Sequence, residues 1–164
     1  MLACRVSNTQ LWPVPLKPWG SLLAERYSLT PRSQVTGNSG LNYAAWQLSR
    51  RGWHVLPTIR NARGSDLIVT DAGETVFFGV QSKALSRRSA VPLGLEVANL
   101  RSEWWVIPIH ANTDNPVCFI MRLDEVRALA SQDRNGGAWW LEPRAYDREA
   151  FRNAWGRLAE GLPP

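Results

Sequence analysis

Apolar residues recur along this chain in two rhythms, and the points where one gives way to the other outline a small α/β domain. The run GLNYAAWQLSRR, residues 40–51, sets Leu41, Ala44, Ala45 and Leu48 at helical spacing. Ser39 suits the N-cap of that helix, and Gly52 suits the stop that follows it. The next run, WHVLPT at 53–58, predicts a short strand closed by Pro57. A polar, basic loop (IRNARG) leads into SDLIVTD, whose Leu67, Ile68 and Val69 predict a second strand. DAGE is then a turn in which Gly73 can take positive φ. The run TVFFGVQSK, residues 75–83, returns as the antiparallel partner, which makes a hairpin.

Past a basic SRRS loop and a Pro/Gly stretch, WWVIPI (104–109) and VCFIMRL (117–123) predict two more strands, joined by the turn-rich HANTDNP. DEVRALAS (124–131) predicts a helix capped by Asp124. The end of the chain offers GGAWWLEP as a strand or sheet edge. YDREAFRNAWGRLAEG follows as an amphipathic helix with Phe151, Trp155 and Leu158 on one face. Residues 1–38 carry four prolines before position 32 and end in TGNS, so they read as an irregular arm with at most a short helix at SLLAERY. The economical architecture is one α/β core over 39–131, a mixed sheet flanked by helices. The arm precedes it, and a Trp-rich extension over 132–164 packs on it.

Composition changes this picture little. Of 164 residues, 45% are apolar and 20% charged, which suits a packed core. Nine Trp are too many for so small an interior to enclose completely. A net charge of +5 and a pI near 9.9 fit a binder of nucleic acid without requiring one. Cys4 and Cys118 form no CxxC pair or Cys/His cluster, which argues against a zinc site or a disulfide framework. No apolar run approaches the ~18 residues that cross a bilayer. Trp12, Pro13, Pro15, Lys17 and Pro18 interrupt any signal-like stretch. A soluble, cytoplasmic protein with no membrane partner is the expectation.

The hairpin carries the chemistry. Asp66 begins one strand, while Gln81 and Lys83 end its neighbour, where the chain returns to the same edge. Alternation puts Gln81 and Lys83 on one face and Ser82 on the other. A carboxylate can hold a hard divalent ion such as Mg²⁺, a second oxygen can fix it, and a lysine can orient a nucleophile or stabilise phosphoryl charge. Each residue also has a plainer role open to it. Asp66 could be a turn or cap residue, and Gln81 and Lys83 a solvated strand edge guarded against aggregation.

The segments GLNYAAWQLSRRGWHV, GSDLIVTD and VFFGVQSKA resemble the three core segments of PD-(D/E)XK nucleases. The similarity is to the bacterial branch with Gln in place of the acidic residue, as in Mrr-like restriction enzymes. WWVIPI, VCFIMRL and DEVRALA match the usual continuation, so the resemblance covers roughly residues 40–130. It implies a restriction-endonuclease-like core that cuts DNA with Mg²⁺ or Mn²⁺. Asp66 and Gln81 would be the metal ligands, and Asp66, Gln81 and Lys83 the catalytic residues. Many members carry a Glu in the first helix; this chain has Leu41 and Asn42 there, which leaves Asp66 as the one expected ligand with a formal negative charge.

Arg60, Arg63, Arg87 and Arg88 lie in loops flanking the two site strands, where they could straddle a DNA backbone or simply be solvated. His54 and His110 lack partner motifs. Trp104–Trp105 and Trp139–Trp140 should alternate faces, one of each pair in the core. Two function classes remain open at this point: a metal-dependent DNA endonuclease, which could act as a homodimer to cut both strands, and a catalytically silent module binding nucleic acid or a protein. A Trp-rich oligomerisation scaffold is a third.

Overall fold

The computed structural model describes residues 32–59 and 64–159. Residues 1–31 of the expected arm, and Arg60 and Arg63, lie outside the described residues. The described residues begin with helix α1 (Arg32–Ser49), followed by strands β1 (His54–Pro57), β2 (Leu67–Thr70) and β3 (Phe77–Ser82). Next come β4 (Val91–Gly94), a 3₁₀ turn at Val97–Asn99, β5 (Trp104–Ile109) and β6 (Val117–Arg122). The remainder is α2 (Leu123–Leu129), β7 (Ser131–Gln132), β8 (Trp139–Leu141), α3 (Pro143–Tyr146) and a 3₁₀ segment at Trp155–Ala159.

The main sheet has the order β1-β2-β3-β5-β6. β2 and β3 form the expected antiparallel hairpin, with Leu67 opposite Val80 and Thr70 opposite Phe77. β3 and β5 run parallel, with Gln81 opposite Trp105, so the sheet is mixed as expected. One face packs on α1: Leu67, Val69, Phe78, Val80, Trp104 and Val106 share a core with Ala44 and Leu48. On the other face Trp105, Ile107, Phe119 and Met121 pack with Val91, Leu93, Leu141 and Tyr146. That second core brings in a small antiparallel sheet, β4-β8-β7. Trp104 and Trp105 are therefore both buried, one in each core, rather than one in the core and one covering a neighbour.

Several boundaries differ from those expected, each for a tertiary reason. Helix α1 begins at Arg32, so Ser39 is an interior residue and TGNS is helical. Thr36 and Gly40 face inward. The Thr36 hydroxyl donates to the Arg32 carbonyl at 2.9 Å and accepts from the Asn112 amide at 2.9 Å, which anchors the first turns. A Cβ on Gly40 would lie 2.3 Å from the Ala84 Cβ, so the helix can cross there only on bare backbone. In the hairpin turn the positive φ belongs to Glu74 (53°), not to Gly73. Asp71 holds that turn: its carboxylate accepts from the Thr75 and Val76 N–H groups at 2.7 and 2.8 Å. These bonds and that from the Thr75 hydroxyl draw its carboxyl pKa down to about 2.

Helix α2 starts one residue early, at Leu123, and its cap is not Asp124. The Glu125 carboxylate accepts the Arg122 N–H at 2.7 Å. The Pro/Gly stretch contains strand β4, because Val91 and Leu93 alternate with exposed Pro92 and Gly94 on a sheet edge. The long C-terminal helix does not form. Asn153 takes φ of 48°, its side chain accepts the Cys118 N–H at 3.0 Å, and Arg152 bridges to Phe119, so the tail runs along the free edge of β6 instead. Phe151, Trp155 and Leu158 are nonetheless buried.

Candidate active site

Asp66 stands just outside β2, and main-chain bonds pin it from two sides. Its N–H donates to the Val80 carbonyl at 2.9 Å, and its carbonyl accepts the Thr58 N–H at 2.9 Å. The Thr58 hydroxyl donates to the preceding Ser65 carbonyl at 2.7 Å. Lys83 donates its N–H to Val106 on β5 at 2.9 Å. Backbone donors alternate sides along a strand, so the Ser82 N–H points the other way, toward β2. No β2 carbonyl receives it. The Asp66 Oδ2 does, at 2.8 Å, and also accepts from the Gln81 side-chain amide. The sheet's own geometry thus aims the carboxylate at the end of β3.

Lys83 shares the Gln81 face, and its ammonium lies 5.9 Å from the centroid of the Trp105 ring. Burial of Asp66 raises its carboxyl pKa, while the Ser82 N–H bond and the Lys83 charge pull it down; the net direction is upward. The ionised carboxylate is therefore under-compensated. Oδ1 accepts no hydrogen bond among the described residues, and the Gln81 amide, donating through Nε2, leaves Oε1 as a second oxygen donor.

This donor set suits a hard divalent ion such as Mg²⁺ or Mn²⁺, which binds through one or two carboxylates and takes its remaining oxygens from water and phosphate. Among the described residues no group of three or more His, Cys, Asp and Glu converges that could hold a metal. Helix α1 adds no acid: Leu41 packs against the core, and Asn42 is exposed outside the inward stripe of Thr36, Gly40, Ala44 and Leu48.

The structure brings Asp66, Gln81 and Lys83 together and sets Arg87 and Arg88 apart from them. After Lys83 the chain does not turn away but continues beside β5, with Leu85 bridging Ile109. Four residues separate that bridge from the Gln81–Trp105 pair, roughly 13 Å along the strand, and both arginines lie beyond it. Arg88 is ion-paired with Asp147 at 2.6 Å, and Asp147 also holds Arg152 at 3.0 Å. Arg87 is exposed. His54 is an exposed strand-end residue, and His110 takes φ of 55° in the turn after β5.

The sequence pattern gives no site role to Arg101, Ser102 or Trp105. Arg101 is exposed, and its Cβ lies 3.5 Å from where a Cβ on Gly64 would be, so it is a cation beside the loop that carries Asp66. A signal for Lys83 itself lies in the composition: the chain holds 17 Arg but two Lys, Lys17 and Lys83. Where nearly every cation is Arg, a Lys on the hairpin rim stands out from generic surface charge.

No family model and no curated protein matches the chain. Among solved structures, the bacterial homing endonuclease I-Ssp6803I matches with a TM-score of 0.54 at 16% identity, over 78% of this chain and 93% of that one. The Archaeoglobus fulgidus Hjc, a Holliday junction resolvase, matches with a TM-score of 0.52 at 9% identity, over 78% of this chain and 98% of that one. These likenesses show the fold, a restriction-endonuclease-like α/β core with a mixed sheet flanked by helices.

Proposed function

We propose that this chain is a metal-dependent endonuclease that hydrolyses phosphodiester bonds in DNA. The observation that supports this reading is the convergence of Asp66, Gln81 and Lys83 at the end of β3 within a nuclease-type fold. Asp66 and Gln81 would hold Mg²⁺ or Mn²⁺, weakly, because a single carboxylate contributes the protein's charge to it. When bound, such an ion supplies charge for the phosphate and a water of lowered pKa. The Ser82 N–H and the Gln81 amide keep the Asp66 carboxylate oriented. The Lys83 ammonium stabilises charge that grows on the phosphoryl oxygens in the transition state. Arg101 offers a backbone phosphate contact beside the Asp66 loop, and Arg60, Arg63 and Arg87 are further candidates, whereas Arg88 is engaged with Asp147. A homodimer would present two such sites, one for each strand.

A second reading, a silent nuclease-fold module that binds nucleic acid, is favoured by one observation. Helix α1 brings no carboxylate to the site, since Leu41 is packed and Asn42 faces solvent. Nicking of supercoiled plasmid separates the two. The endonuclease reading expects cleavage by the wild type in Mg²⁺ or Mn²⁺ that falls to background in Asp66→Ala. An inert wild type that still retards DNA on a gel supports the silent module, and one that neither cuts nor binds removes both readings.

A further inference from the structure

Ser102 is buried, and its two polar groups face in two directions. Its hydroxyl donates to the Gly64 carbonyl at 3.1 Å and shares a hydrogen bond with the Ser65 hydroxyl at 3.0 Å. Gly64 and Ser65 are the two residues immediately before Asp66. Its carbonyl accepts the Trp105 indole N–H at 3.1 Å. Trp105 is buried as well, and its ring lies beneath the Lys83 ammonium. Ser102 is thus bonded on one side to the segment that ends in the acid and on the other to the ring that supports the amine.

We propose that Ser102 and Trp105 form a brace that sets the position of the Lys83 amine relative to the Asp66 carboxylate, both acting as positioning residues. Lysine carries its charge on a flexible four-carbon stem, so an unsupported amine samples many places. A ring face held by its own N–H bond restricts that sampling. Gly79 completes the brace. A Cβ there would lie 2.0 Å from the Ser65 hydroxyl oxygen, so the bare backbone of β3 is what lets Ser65 lie across it and reach Ser102. The proposed nuclease reading enters only through the effect of the brace on cleavage rate; the contacts themselves can be tested without substrate.

Reductive methylation with ¹³C-formaldehyde labels lysine amines, and in a Lys17→Arg background Lys83 is the only lysine left to label. The ring current of Trp105 should displace the dimethylated Lys83 signal from the position of free dimethyl-lysine. Trp105→Phe should keep a displacement and Trp105→Leu should abolish it. A wild-type signal at the free position, or one that Trp105→Leu leaves in place, overturns the lysine half of the brace. Ser102→Ala removes the hydroxyl but keeps the carbonyl, and it serves if Trp105→Leu fails to fold. It should leave the Lys83 signal displaced while hydrogen exchange at the Asp66 amide quickens about tenfold. Unchanged exchange overturns the acid half. In plasmid cleavage, Ser102→Ala and Trp105→Leu should each lower kcat about tenfold or more with KM nearly unchanged, and Trp105→Phe should restore most of the loss. A wild type that cuts nothing sinks the proposed nuclease function while the spectra still decide the brace.

Discussion

The Asp66 carboxylate is held by donors yet remains poorly compensated, which gives it a stability signature. Its folded pKa lies above the unfolded value because burial outweighs the Ser82 and Lys83 contributions. The linkage sign follows from that direction. This group's stabilisation is fully present below the unfolded pKa, near 4, and is lost as pH rises through the higher folded value. At neutral pH the ionised Asp66 therefore works against the metal-free fold. Asp66→Asn should raise the Tm of metal-free protein at pH 7 by about 1–3 °C, discounted for partial exposure, and abolish cleavage. The same substitution should have no stabilising effect below pH 4. Thermal melts of both proteins at the two pH values check this, and a lower Tm for Asp66→Asn at pH 7 would show that the carboxylate is well compensated. Cys118 is a contrasting buried group. Burial pushes its thiol up to about 12 against an opposing pull from the Arg51 charge, and it packs in the core shared with α1.

Helix α1 shows a contact overruling local preference. Alanine is a better helix former than glycine by about 1 kcal/mol, so Gly40→Ala would stabilise an isolated helix. Here the new Cβ would meet Ala84 at 2.3 Å and Pro108 at 3.2 Å, and forcing an added methyl into a packed interface costs about 1–3 kcal/mol. Overpacking wins, so Gly40→Ala should lower Tm by several degrees, about 3–8 °C. An unchanged or raised Tm would mean the helix can lift off Ala84 and Pro108 without penalty. The same contrast explains what the sequence revealed. The β2–β3 hairpin and β5–β6 pair were legible because strand alternation is local, and with them came Asp66, Gln81 and Lys83 on one rim. The first turns of α1 were not, because Thr36 and Gly40 are helical through partners at Asn112 and Ala84, far along the chain. Phe151, Trp155 and Leu158, which the pattern puts on one face of a helix, are all buried, but their spacing fits a helix as well as the observed path along β6, and the bonds to Cys118 that decide between them are invisible in a pattern. The Ser102–Trp105 brace was hidden for the same reason, since it joins segments 37 residues apart.

Across the described residues, the sheet separates two cores, and the candidate site lies where the end of β3 passes between them. The loop before Asp66 is tied to Ser102, whose carbonyl holds the Trp105 indole of β5, while the Lys83 main chain is tied to β5 through Val106. The arrangement pins acid, amide and amine at strand ends through main-chain bonds, and fixed geometry of that kind is what differential stabilisation of a transition state requires. Net charge of +5 adds a general attraction for a polyanion that is largely carried by arginine. Replacing Lys83 by Arg leaves that attraction intact and removes only the compact amine, so it separates chemistry from binding. The most direct measurement is the initial rate of Mg²⁺-dependent nicking of supercoiled plasmid by the wild type and Lys83→Arg, with DNA retardation measured alongside. The wild type should nick, and the variant should lose about 100-fold or more in rate at unchanged retardation. A wild type that does not nick, or a variant that nicks as fast, would contradict a catalytic site at the end of β3.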